Sequence, residues 1–140
     1  MKILGLDYGS KTIGVAICDE SVDFIYPLKT IWRKKNNVIR ESLRNIDKIV
    51  ESENIQKIVI GLPITMKDNE GTRAKLTKEF GEKIKLRYKE KNINVEYQDE
   101  RLTTMEASEI LSKNNIKKSE QKKYIDSVAA VLILQDYIHK

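Results

Sequence analysis

The N-terminal stretch from Ile3 to Ile17 constrains the fold more than any other part of the chain. It contains two runs of aliphatic and β-branched residues joined by a short polar turn at Gly9 and Ser10. Such runs predict strands that are buried on both faces of a sheet, here paired as a hairpin. Asp7 lies at the corner of that hairpin. Because an unpaired buried carboxylate costs on the order of several kcal/mol, we expect turn amides, a Lys or Arg, or a metal ion to compensate it.

The rest of the chain alternates between strand and helix patterns. Strands are predicted over residues 2–8, 12–19, 24–32, 57–62 and 93–99. Two helices are predicted over residues 36–53 and 72–91. A third is predicted from a capping box at Thr103 and Glu106 to about residue 112, and a fourth after a cap at Ser119. This order, βββαβαβαα, indicates an α/β protein with helices against the faces of one sheet.

The sheet is expected to be mixed and five-stranded, with three antiparallel strands followed by two parallel ones. Pro27 indicates that the third strand lies at the edge, and Pro63 is expected to stop the fourth. In the second helix, apolar residues recur at every fourth position and predict a buried stripe. That stripe consists of Leu76, Phe80, Ile84 and Tyr88.

The length of the chain, 140 residues, predicts a single domain that spans residues 1–140. Cys18 is the only cysteine and lies in a predicted strand, so we expect a core residue and neither a disulfide framework nor a zinc site. We find no pattern of a targeting signal or a membrane span, and a cytoplasmic location is expected.

Positive charge is concentrated in one segment, residues 113–123, which holds five lysines against the single Glu120. Such a cluster favours a polyanionic partner such as nucleic acid, although a solvated surface would have the same composition. The candidate contacts taken from this segment are Lys117, Lys118, Lys122 and Lys123.

Three carboxylates are candidates for a common site. Asp7 and Glu100 lie at the ends of predicted strands where ligand sites of α/β sheets gather, and Asp126 lies in an otherwise apolar helix. Taken separately, Asp7 could cap the turn and Glu100 could form a surface pair with Arg101. Asp126 could form a salt bridge with a neighbouring lysine on its helix. Together, they would form an oxygen-only pocket suited to two Mg²⁺ or Mn²⁺ ions and to phosphodiester hydrolysis.

Four motifs in this order resemble the YqgF family, also called RuvX, whose members are described as resolvases of Holliday junctions. The motifs are Asp7-Tyr8-Gly9-Ser10-Lys11-Thr12-Ile13-Gly14-Val15-Ala16, Gly61-Leu62-Pro63, Asp99-Glu100-Arg101-Leu102-Thr103-Thr104 and Lys123-Tyr124-Ile125-Asp126-Ser127-Val128-Ala129-Ala130. The resemblance implies a ribonuclease-H-like fold and a nuclease that matures the 5′ end of precursor 16S rRNA. It also implies that Asp7, Glu100 and Asp126 form the family's acidic triad.

The resemblance extends to basic residues. Lys123 and Arg101 match basic positions of the family, and we assign both to phosphate contacts as a hypothesis. Lys11, in the first motif, is a further candidate nucleic-acid contact. After Pro63 the chain departs from the family pattern, because Lys67-Asp68 replaces the usual Asp-Gly pair.

Other functions are compatible with parts of this pattern. Cleavage of branched DNA needs the same carboxylates as cleavage of precursor rRNA, and an assembly factor could bind ribosomal RNA without cleaving it. Sugar kinases and actin-like ATPases share the Asp-x-Gly hairpin, but they need two such lobes and 140 residues provide one. The expected partner is therefore nucleic acid, precursor rRNA or branched DNA, without a membrane, and the oligomeric state stays open.

Overall fold

The fold is organised around one mixed five-stranded sheet. The computed structural model describes residues 1–33, 39–63, 70–100, 109, 111–113, 115–121 and 124–139. Its strands are β1 (Lys2–Tyr8), β2 (Thr12–Asp19), β3 (Phe24–Trp32), β4 (Ile55–Pro63) and β5 (Asn94–Glu100). They lie in the order β3-β2-β1-β4-β5. The predicted sheet is confirmed, including the edge position of β3.

The hairpin lies at the centre of the sheet, as its apolar composition predicts. Strand β1 pairs antiparallel with β2 and parallel with β4, and β4 pairs parallel with β5. All five residues from Ile3 to Asp7 are buried. The expectation for Pro63 is wrong by one position, because this residue still belongs to β4 and pairs with Glu100. At the last position of a strand, the missing N–H removes one ladder hydrogen bond at most.

The helices lie on both faces of the sheet. They are α1 (Ile39–Ser52), α2 (Glu70–Tyr88), the short α3 (Lys118–Gln121) and α4 (Ile125–Ile138). Helices α1 and α2 pack on the face that carries Leu4 and Leu6. Helix α4 packs on the opposite face, against Ile3, Val59 and the buried Cys18. No helix within the described ranges is long and apolar enough to cross a membrane.

Helix α2 buries a slightly different face from the predicted one. Phe80, Ile84 and Tyr88 are buried as expected, but Leu76 is 50% exposed. A side chain at Gly81 would overlap the ring of Tyr97 from β5, so this glycine permits close packing of the helix on the sheet. Helix α2 therefore packs on the sheet with the side that carries Gly81, and the Leu76 side chain faces solvent.

The C-terminal helices also differ from the prediction. Ser119 does not cap the last helix, because it lies within the four-residue α3. A turn closed by the Tyr124 N–H and the carbonyl of Gln121, 2.9 Å apart, separates α3 from α4. The long helix begins at Ile125 without a side-chain cap. The capping box at residues 103–106 lies outside the described residues, and residues 111–113 are helical.

Candidate functional site

Two of the three predicted carboxylates meet at the carboxyl ends of the parallel strands. Asp7 is the last but one residue of β1, Glu100 is the last residue of β5, and β4 lies between them. A Cβ atom at Gly61 of β4 would lie 2.9 Å from Oε2 of Glu100. The missing side chain at Gly61 therefore allows Glu100 to reach across β4 towards Asp7.

The carboxyl groups of Asp7 and Glu100 lie within hydrogen-bonding range of one another. Burial is the main reason why the pKa of both groups is raised, and for Glu100 the pKa rises to about 9. The neighbouring charge of Asp126 raises both values further. Without a cation, the pair therefore keeps one shared proton at neutral pH.

Asp126 lies beside this pair, in the first turn of α4. The hydroxyl of Thr12 donates a hydrogen bond of 2.7 Å to its Oδ2 atom. A side chain at Gly14 would overlap the Asp126 carbonyl, so the glycine lets α4 approach β2 closely at this point. Hence the hairpin that holds Asp7 also positions Asp126.

The three carboxylates do not form a complete metal site in their present arrangement. Within the part of the chain that the structure describes, no three acidic, histidine or cysteine side chains are grouped closely enough to hold one ion. The Asp126 carboxylate is hydrogen-bonded to Thr12, whereas Asp7 and Glu100 contact each other. The donor set nevertheless fits a hard divalent cation, because it contains only oxygen atoms and its two paired acids repel each other when ionised.

A cation that the sequence analysis did not assign to the site is Arg73. It is exposed in the first part of α2, and its charge lowers the pKa of both Asp7 and Glu100, against the effect of burial. The signal that could have identified it is its position in a helix that begins after the carboxyl end of β4. At this position Arg73 is available to contact an anionic substrate.

The turn between β1 and β2 is held by a second residue that the sequence analysis missed. Arg33 donates a hydrogen bond of 2.6 Å to the Tyr8 hydroxyl and another to the Gly9 carbonyl. Its guanidinium lies 4.5 Å from the centre of the Tyr8 ring, which stacks on Phe80 at 4.3 Å. Because Tyr8 follows Asp7 directly, this cluster fixes the backbone at the acidic site.

The predicted basic contacts are described only in part. Lys11 is exposed in the turn next to Thr12, and Lys117 is exposed before α3. For Lys118 only the backbone is described. Arg101, Lys122 and Lys123 lie outside the described residues.

Comparison with known proteins gives a match over the whole chain. The family model described as "RuvX: Holliday junction resolvase" matches residues 1–140. A protein from Agathobacter rectalis is 38% identical over 138 residues, which cover 99% of this chain and 94% of the relative. One from Lachnospira eligens is 40% identical over 138 residues, covering 99% and 96%. Both relatives carry the name "Putative pre-16S rRNA nuclease".

Solved structures show the same fold at low sequence identity. Thermus thermophilus RuvC in complex with a Holliday junction substrate superimposes with a TM-score of 0.62 at 11% identity, covering 99% of this chain and 95% of RuvC. The fowlpox virus Holliday junction resolvase superimposes with a TM-score of 0.59 at 15% identity, covering 99% and 98%. The predicted ribonuclease-H-like fold class is therefore confirmed.

Proposed function

Because this chain belongs to the RuvX family, we propose that it is a metal-dependent nuclease that cleaves precursor 16S rRNA and matures its 5′ end. The similarity to two relatives named as pre-16S rRNA nucleases over nearly their whole length supports the choice of RNA. A ribosome-assembly role also suits the cytoplasmic location expected from the sequence.

One observation carries the proposal that this nuclease uses metal ions. Asp7 and Glu100 are brought together from different strands, largely removed from water, with Asp126 close enough to repel both. Such an arrangement destabilises the metal-free protein, because burial and the nearby charge of Asp126 oppose ionisation of the paired acids. Functional sites are where arrangements of this kind concentrate, and divalent cations are the counter-charges that would relieve this one.

Asp7, Glu100 and Asp126 would hold two Mg²⁺ or Mn²⁺ ions. When bound, such ions activate a water molecule and stabilise the leaving oxygen of a phosphodiester. The chain itself contributes orientation: Thr12 restricts the Asp126 carboxylate through its hydrogen bond. The close packing of α4 on Gly14 keeps Asp126 at a fixed height above the sheet.

Basic side chains around the carboxylates would bind the phosphates of the substrate. Arg73 is near the acidic pair and carries the charge that a phosphate attracts. Arg101 and Lys123 are proposed to hold the scissile phosphate, since each adjoins or closely precedes one of the triad acids in sequence. Lys11 and three of the five lysines of residues 113–123 would then bind the flanking backbone. These lysines are Lys117, Lys118 and Lys122.

Resolution of branched DNA is the second candidate function, because the matching family model is described as a Holliday junction resolvase. The two substrates are distinguished by offering an end-labelled fragment of precursor 16S rRNA and a four-way DNA junction to the same preparation with Mn²⁺. We expect a discrete cut at the 5′ end of the mature rRNA and slower or absent cutting of the junction. Symmetric cuts in the junction, with intact rRNA, would favour the resolvase. Binding of the rRNA without any cut would favour an assembly factor.

A further inference from the structure

An exposed tryptophan lies at the end of β3, two strands away from Asp7. Trp32 is the last residue of β3 and pairs with Thr12 of β2. Thr12 is the residue that donates a hydrogen bond to Asp126. Directly paired residues on neighbouring antiparallel strands have their Cβ atoms about 4.5–5.5 Å apart. The indole is therefore attached next to the residue that positions one of the proposed metal ligands.

Trp32 also lies on the same face of the sheet as this site. Two residues earlier in β3, the hydroxyl of Thr30 lies 3.2 Å from that of Ser127 in α4. Because side chains alternate along a strand, residues 30 and 32 share this face. Ile31 between them is buried in the core on the opposite face. Trp32 therefore lies beyond Thr30 on the face that α4 covers.

The Trp32 side chain is 66% exposed. Phe24, at the other end of the same strand, is 57% exposed but stacks on Tyr26 with ring centres 5.5 Å apart. Among the described residues, Trp32 takes part in no such ring stack. A second exposed aromatic residue, Tyr124, lies two positions before Asp126 and is 40% exposed. Large aromatic faces are thus open to solvent on two elements that meet at the site.

A basic residue, Lys11, is joined to the end of the Trp32 strand through the backbone. Arg33, the neighbour of Trp32, donates a backbone hydrogen bond of 2.9 Å to the carbonyl of Lys11, which ties the end of β3 to the turn. The Lys11 side chain is exposed. An aromatic face next to a cation is the combination by which proteins bind single-stranded nucleic acid, since the ring stacks on a base and the cation contacts its phosphate.

We infer that Trp32 is a stacking platform for an unpaired nucleobase next to the cleavage site, with Tyr124 as a second aromatic contact. This inference rests on the proposed function and narrows its substrate to a single-stranded segment of RNA. The bases of an RNA duplex are paired and stacked on each other, so their faces are not available to the indole. The platform therefore selects against a fully paired strand.

Trp32 is the only tryptophan of the chain, so its fluorescence reports on this position alone. The full-length protein in EDTA is titrated with a single-stranded RNA of roughly 12 nucleotides, within the range of typical site sizes. The same sequence is offered as a blunt duplex. We expect saturable quenching of the emission by the single strand and little quenching by the duplex. Equal quenching by both, or binding of the single strand without quenching, would overturn the inference.

The affinity is then measured by anisotropy of labelled RNA. Trp32→Ala should weaken binding of the single strand about 5- to 100-fold, the range typical of a lost stacking contact. Trp32→Phe should restore most of the affinity. The matched control is Phe24→Ala, which removes an exposed aromatic ring from the same strand and should change binding less than about twofold. Equal losses in the Trp32→Ala and Phe24→Ala proteins would contradict a specific platform.

Two further outcomes separate this inference from the proposed function. Because the titration contains no divalent cation, quenching by RNA would support the platform even if the protein cleaved no rRNA. Conversely, the natural protein could cleave rRNA in a metal-dependent reaction while the Trp32→Ala variant cleaves it equally well. That result would support the proposed nuclease function and refute the stacking platform. A change in emission with protein concentration alone would assign Trp32 to contact with a second copy of the chain.

Discussion

Replacing Glu100 by Gln should stabilise the metal-free protein at neutral pH. The side chain is within hydrogen-bonding range of Asp7, and burial together with the charges of Asp7 and Asp126 raises its pKa to about 9. The amide of Gln has nearly the same shape, carries no charge at any pH and can donate a hydrogen bond to Asp7. The variant therefore removes the electrostatic cost and retains the packing.

The size and the pH dependence of this effect follow from the raised pKa of Glu100. Below its ordinary pKa of 4.5, Glu100 is protonated in both the folded and the unfolded protein. As the pH rises from there to about 9, the unfolded chain releases this proton while the folded protein retains it, so the folded state loses relative stability. The upper limit at pH 7 is about 3 kcal/mol, from 1.36 kcal/mol per pKa unit. Because Glu100 is partly exposed, we expect about 1–3 kcal/mol.

The measurement is urea unfolding in EDTA at pH 5 and pH 8. Glu100→Gln should be more stable than the natural protein at pH 8, and the difference should be much smaller at pH 5. The control is Glu96→Gln on the same face of β5, which removes an ion pair of 3.3 Å with Lys57 and should reduce stability. Mg²⁺ should stabilise the natural protein more than the Glu100→Gln variant, because a ligand that binds only the folded state raises its stability. A Glu100→Gln protein that is less stable at pH 8 would refute the reasoning.

Three further changes test other parts of the site. Gly14→Ala should reduce the free energy of unfolding by about 1–3 kcal/mol, as measured by urea unfolding, because the new methyl group overlaps the Asp126 carbonyl; a neutral change would show that α4 is not held so closely. Thr12→Val should lower cleavage activity about 3- to 30-fold with a small effect on RNA binding, since it removes one hydrogen bond to a charged group; unchanged activity would argue against a positioning role. Replacing three lysines by alanine should reduce the magnitude of the slope of log K for RNA binding against log salt concentration by about 2, because each phosphate contact contributes about 0.7 for a single strand. An unchanged slope would show that these lysines are solvated surface residues that do not contact RNA. These lysines are Lys117, Lys118 and Lys122.

The sheet was predictable because its signals are local. Each strand is a short apolar or alternating run, and Pro27 indicated which strand lies at the edge. The exposure of Leu76 was not predictable, because it depends on contact between Gly81 and the ring of Tyr97, which are distant in sequence. The prediction for Ser119 failed for a similar reason, because this good cap residue lies six positions before the first residue of α4, within α3.

The candidate site could be predicted only as a set of residue types. The sequence indicated three carboxylates, but whether Asp7 and Glu100 meet depends on strand order and on the absence of a side chain at Gly61. The contribution of Arg73 depends on where α2 begins relative to the sheet, and that of Arg33 on the end of an edge strand. Neither cation lies within the four motifs that carry the family resemblance.

The most direct test of the central claim compares the natural protein with Asp126→Asn on an end-labelled fragment of precursor 16S rRNA. With Mg²⁺ or Mn²⁺, we predict cleavage by the natural protein, no cleavage in EDTA, and a loss of more than about 100-fold in the variant, since ion binding at the triad contributes several kcal/mol to catalysis. Binding of the fragment by the variant should stay within about threefold of the natural value, because the RNA is held by cations elsewhere. Cleavage that persists in EDTA, or that survives the Asp126→Asn change, would contradict the account.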